Sequence, residues 1–218
     1  MKKILICLMC IIPVICGAQF SINGQGSFIH FSGGTGLKHF GAGLRLEYTS
    51  TEWVGAYGGV NFYLSENYQA DVKAYALSGN TDPQEIEIPT DSEVSFTDVF
   101  IGGKVYFLNR YEMDDHKPWG LYLLVEGGLL FGSATSNIPV YDEELYWSPV
   151  DDEVAGTFVN YVAGLGLGLE YFMGKSNIYF DFKSRATVDE ANRQLVRTPV
   201  PFGFSYNVGF RYPFDFSF

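Results

Sequence analysis

Apolar and polar residues alternate with a period of two along eight stretches of this chain, as they do in β-strands with one dry and one wet face. The first, 20–31, places Ser21, Asn23, Gln25 and Ser27 on its polar side. The apolar side of the second carries Phe40, Ala42, Leu44, Leu46 and Tyr48, and that of the third Val54, Ala56, Gly58, Val60, Phe62 and Leu64. The fourth runs through Val99, Ile101, Val105 and Phe107, the fifth from Trp119 to Phe131, and the sixth from Val159 to Tyr171. A short seventh offers Ile178, Phe180 and Phe182, and the eighth spans 202–214. Each approaches the roughly 9–11 residues a tilted strand needs to cross hydrocarbon. No Asp, Glu, Lys or Arg falls on the apolar faces of the second to eighth stretches. Arg or Lys facing lipid at the midplane costs about 2–4 kcal/mol, so these faces suit lipid. A water-soluble sandwich would turn its polar faces out instead, and periodicity alone does not separate the two.

The positions of rings and loops add a direction. Tyr48, Phe107, Trp119, Tyr171, Tyr212 and Phe214 fall at one rim, and Phe40, Phe62, Phe131 and Phe182 toward the other, as girdles at the two headgroup levels would. The connections 50–52, 109–118 and 173–176 lie on the first side, and the longer 32–38, 65–95, 133–156 and 186–200 on the second. Short turns face the periplasm in membrane barrels and long loops face outward. Within 65–95, the segments 68–77 and 85–88 flank a turn at 80–83, which predicts a hairpin projecting above the membrane or, alternatively, an extra strand pair.

The N-terminus supplies the compartment. Lys2 and Lys3 precede an apolar stretch, 4–15, too short to cross a bilayer, and Cys16 and Ala18 occupy the small-residue positions of a cleavage site. Residues 1–18 are therefore expected to be a signal peptide, with 19–218 as one barrel domain. A lipid anchor on Cys16 is the rival, opposed by Ile15 where a small residue is wanted. All three cysteines lie in this leader, so disulfides, thiolate metal sites and cysteine nucleophiles are excluded from the mature chain. With 17% aromatic residues and only 18% charged ones, the chain is too apolar for disorder.

The last strand carries the most specific signal. Asn207, Gly209, Tyr212 and Phe214 follow the order polar, Gly, aromatic, aromatic, which resembles the C-terminal signal read by the machinery that inserts outer-membrane barrels. With this signal and the strand pattern, the mature chain resembles the small outer-membrane β-barrels of the OmpA-like or OmpX-like, porin-family type. The resemblance implies an all-β fold: a closed, antiparallel, up-and-down transmembrane β-barrel of eight strands, or ten if the hairpin joins the ring. It also implies outer-membrane lipid, lipopolysaccharide and the barrel-assembly machinery as partners, a monomer, and no nucleic acid.

Candidate chemistry lies inside. Strand parity turns Arg45, Glu47, Asp98, Lys104, Glu126, Glu170, Asp181, Lys183, Arg185 and Arg211 toward the lumen, five bases against five acids. Balance matters because an unpaired charge in a narrow barrel is strongly destabilising. Glu126, Glu170 and Arg211 are expected to meet in one network. Gly41, Gly43, Gly55, Gly59, Gly164, Gly166 and Gly168 face the same interior as Trp53, Tyr57, Tyr63, Tyr106 and Tyr122, which predicts rings packed over glycines. The Gly-x-Gly run at 164–168 has no following helix and is not a nucleotide loop. The acidic excess sits in the outer loops: 65–95 and 133–156 hold thirteen carboxylates against Lys73 alone, in a chain of net charge −11. These suit solvated loops or a hard-cation site, but neither matches a calcium-loop spacing. Of the histidines, His116 falls in a periplasmic turn, His39 near an outer rim, and His30 beside Ser32 in a His-x-Ser triplet like that of outer-membrane lipid A deacylases. No cofactor, metal or catalytic residue is predicted. The expected role is non-enzymatic: envelope structure or surface interaction through the acidic loops. A narrow channel is the alternative, and a lipid-modifying enzyme or protease the third.

Overall fold

A computed structural model describes residues 19–32, 36–49, 53–108, 118–137, 141–148, 153–188 and 202–214. The leader 1–18, with its expected cleavage site, lies outside these residues, as do His116, Asp151 and Asp152. The described residues form ten strands: β1 (Gln19–Phe31), β2 (Lys38–Thr49), β3 (Val54–Tyr63), β4 (Glu66–Ala76), β5 (Glu85–Leu108), β6 (Trp119–Asn137), β7 (Tyr146–Trp147), β8 (Glu153–Met173), β9 (Ser176–Val188) and β10 (Phe202–Phe214).

Eight of them make a ring. β1 pairs with β2, β2 with β3, β3 with β5, β5 with β6, β6 with β8, β8 with β9, β9 with β10, and β10 returns to β1, all antiparallel. Among the described residues, closure leaves no ring strand with an unpaired edge, the condition for β-structure in hydrocarbon. β4 and β7 stand outside the ring: β4 pairs with the outer half of β5, and β7 adds two residues to β4. The barrel therefore has eight strands, and the second long connection is a hairpin continuing one of them.

Facing follows the alternation. Phe40, Leu46, Ile101, Val125, Tyr161, Leu165 and Val208 are among the most exposed large apolar side chains, all on the outer wall. Trp119 packs on Tyr171 at 4.6 Å and Phe20 on Tyr48 at 5.1 Å at the end of the ring where both strand termini lie. Trp53, expected inside, sits at that rim and is 36% exposed, because it precedes β3 and lies beyond the packed interior.

Three strands outrun the bilayer. β5 has 24 residues, β8 21 and β6 19, well beyond the roughly 9–11 a crossing needs. Much of 133–156, expected as a loop, is thus strand: β6 continues to Asn137 and β8 starts at Glu153, paired to each other. The seventh stretch is also longer than its apolar signal, since β9 reaches Val188 with Ser184 and Ala186 on its outer side.

Small residues let large ones in. A Cβ on Gly102 would lie 2.6 Å from the Tyr57 ring, and one on Gly59 2.7 Å from the Phe100 ring. A Cβ on Gly168 would overlap the Tyr122 ring. An eight-stranded barrel has room for little else, and rings over glycines fill it.

Candidate functional site

The lumen is layered along the barrel axis. In the layer nearest the rim that carries Phe20 and Phe214, Glu47 of β2 is the hub: its carboxylate meets Arg45 at 2.9 Å, Arg211 at 3.0 Å and Lys104. Lys104 bridges on to Glu170 at 2.9 Å, and Arg211 also meets Glu170. Arg45 reaches across to Asp181 at 2.7 Å. Three bases and three acids from five strands are buried here with no net charge.

A second cluster lies deeper. Lys183 of β9 meets Glu126 of β6 at 2.6 Å, and Arg185 meets Asp98 of β5 at 2.7 Å and Glu126 at 3.7 Å. Glu126 therefore belongs with Lys183 and Arg185, not with Glu170 and Arg211 as strand order suggested. Parity fixes which side of the wall a residue faces, but depth in a sheared barrel decides whom it meets. All ten lumen charges are buried and each has an opposite partner.

Tyrosines separate the layers. The Arg45 guanidinium lies 4.2 Å over the Tyr57 ring and 4.8 Å over that of Tyr179, while Tyr57 OH donates to Glu126 at 3.4 Å. Lys104 sits 4.9 Å over both Tyr106 and Tyr122, and Tyr122 OH donates to Asp181 at 2.6 Å. Such cation–π contacts replace hydration that the buried bases have lost. Above Tyr179, whose hydroxyl donates to Gln25 at 2.6 Å, Gln25 donates to Asn61 at 2.6 Å. Ser27 completes this neutral layer, 2.7 Å from the Asn207 side chain.

The outer mouth is apolar. Ile29, Phe31, Leu37, Tyr63, Phe96, Leu130, Phe158 and Val162 form one buried cluster, with Phe31 and Phe96 rings 5.2 Å apart. Inward-facing apolar residues here were not expected. The available signal is a run apolar on both faces, Leu129-Leu130-Phe131 and Tyr161-Val162-Ala163, in place of strict alternation. His39, expected near a rim, belongs to this plug: it is fully buried, its Nδ1 lies 3.1 Å from Leu64 O, and its ring meets Phe96 edge-on at 4.8 Å.

Beyond the mouth, β4, β7 and the outer parts of β5, β6 and β8 continue as a sheet wall. Ala74, Ile88 and Tyr146 pack on its inner side. The outer side carries Glu85, Glu87, Asp91 and Glu93. Gln69 donates to Asp91 at 3.1 Å, and Lys73 pairs with Glu85, whose carboxylate raises the lysine pKa. Among the described residues no group of three His, Asp or Glu side chains could hold a metal ion.

The remaining candidates fall as follows. Asn207 faces inward, and Gly209 lies under Tyr179, where a Cβ would sit 2.6 Å from a ring carbon. Tyr212 and Phe214 face out at the rim, 5.9 Å apart. Ser32 Oγ donates to Phe202 O at 3.1 Å, while His30 faces the other way from the lumen with a buried Nδ1 that lacks a hydrogen bond. The two do not form a nucleophile–base pair.

No family model and no curated relative matches the sequence. Solved structures do match the fold. The chain is similar to Neisserial surface protein A, at 11% identity over 91% of this chain and 99% of that one, with a TM-score of 0.54. It is also similar to a major outer membrane protein from Thermus thermophilus, at 14% identity over 90% and 99%, with a TM-score of 0.53. The fold is that of a small outer-membrane β-barrel.

Proposed function

We propose that the chain is exported, loses residues 1–18 and works as a monomeric, non-enzymatic barrel of the outer membrane. Its lumen serves stability and its outward sheet meets the surroundings. The observation that carries this reading is the filled interior: two neutral ion clusters, a tyrosine and amide layer, and an apolar plug stacked over them. A solute would have to break buried ion pairs and then part Phe31, Phe96 and Phe158. Breaking a buried pair costs about 3–5 kcal/mol, and the apolar plug adds its own packing. Outer-membrane lipid and lipopolysaccharide would contact the apolar wall, and the barrel-assembly machinery the β10 strand with Asn207, Gly209, Tyr212 and Phe214. Planar-bilayer recording from pure protein tests the closed lumen. The expected trace is flat, and stable single-channel steps would replace this reading with the narrow channel. For the enzyme alternative, His30→Ala should leave the lipid A of expressing cells unchanged.

A further inference from the structure

We infer that the tip of the outer sheet is a docking surface for a basic, apolar segment of another protein; this inference deepens the surface-interaction reading and rests on it. Tyr75 of β4 lies opposite Trp147 of β7, and two residues further along Leu77 N donates to Leu145 O at 2.9 Å. Strand parity puts all four side chains on the same face. They are 42%, 54%, 61% and 46% exposed, for Tyr75, Trp147, Leu77 and Leu145 respectively. Scattered apolar residues at a surface need no explanation, but a contiguous group with a polar rim marks an interaction site. The group is not the sheet's own core, since Ala74, Ile88 and Tyr146 pack on the opposite side.

Three observations select the occupant. Lipid is too far away: the patch lies level with Glu85, ten residues along β5 from Ser95, where the apolar wall ends, or about 34 Å of strand. The rim is acidic, with exposed Asp82, Glu85, Asp142, Glu143 and Glu144, and the one base of the hairpin, Lys73, is engaged by Glu85. That potential attracts cationic partners and repels sulfated or phosphorylated ones. A second copy would bring the same acids to the same place. What remains complementary is a segment that pairs apolar side chains with Lys or Arg.

The test uses the full mature protein in phosphatidylcholine nanodiscs, with empty discs as reference. The probe is a ten-residue peptide alternating Lys and Val; a Glu–Val peptide and dextran sulfate are the counter-probes. The Lys–Val peptide is expected to bind, more weakly as salt rises, and at least tenfold more weakly to Leu77→Ser/Trp147→Ser. Leu145→Ser, which leaves the Tyr75–Trp147 pair intact, should weaken it in the same direction, with heat-modifiable gel mobility confirming folded barrels. Absent binding, equal binding by either variant, or equal binding of the Glu–Val peptide or dextran sulfate would overturn the proposal. So would dimerisation in the ultracentrifuge that Leu77→Ser/Trp147→Ser abolishes. None of these outcomes opens the lumen: single-channel steps would sink the closed-barrel reading beneath, whereas failed peptide binding sinks this inference alone.

Discussion

The two halves of β5 have the same backbone and the same alternation, yet they are turned inside out with respect to each other. In the half from Thr97 to Leu108, the outer face is Val99, Ile101, Val105 and Phe107, while Asp98 and Lys104 face in. In the half from Glu85 to Phe96, the outer face is Glu85, Glu87, Asp91 and Glu93, while Ile88, Val94 and Phe96 are buried. Nothing in the strand breaks between them. What changes is the medium, and the inversion marks where hydrocarbon gives way to water. The neighbours agree: Ser95 pairs with Ser133 and Ser133 with Thr157, and on the membrane side of that row Phe131 lies opposite Val159. On these three strands a row of hydroxyls marks the level of the inversion.

That contrast can be broken at each of its four faces. The largest effect is expected inside the membrane half. Lys104→Met strips Glu47 and Glu170 of a shared cation, and should lower the free energy of unfolding in urea by about 3–5 kcal/mol. Next is the outer face of the same half, where Ile101→Arg should cost about 2–4 kcal/mol and impair assembly, read as loss of heat-modifiable mobility. Its counterpart, Asp91→Arg, should assemble like the parent; equal impairment of both would erase the proposed boundary. In the inner face of the outer half, Val94→Ala removes two buried methyl groups and should cost about 2 kcal/mol by the same urea titration. The smallest effect belongs to the exposed pair: Lys73→Met should leave the unfolding midpoint unchanged, because ion pairs in open water contribute little.

The membrane half was legible in the sequence, because lipid forbids charge on one face and that ban leaves a period-two record. It is why the alternation puts Leu44, Ile101, Leu123 and Leu165 on one face, which the C-terminal signal and the leader then turn toward lipid. The outer half was harder. Ser133, Thr135 and Asn137 resemble loop residues, since a strand wet on its outer side loses the apolar signal there. Ser184 and Ala186 hid the end of β9 for the same reason. The ion pairs were half legible: parity turned all ten charges inward, but the partition of Glu126 from Glu170 depends on strand stagger, which no single strand encodes. The patch at Tyr75, Leu77, Leu145 and Trp147 joins two segments about seventy residues apart and becomes visible only when β7 is laid beside β4.

One consequence follows from the seam between β1 and β10. Twelve residue pairs, from Phe20 with Phe214 to Phe31 with Gly203, join the first strand of the ring to the last. Until that zipper engages, both margins of the unfinished wall show bare amides and carbonyls, which oil cannot satisfy. The cylinder therefore seals only once the thirteen residues of β10 are in place. A chain cut short of Phe202 would leave β1 and β9 unpaired along that side, an open trough in place of a tube.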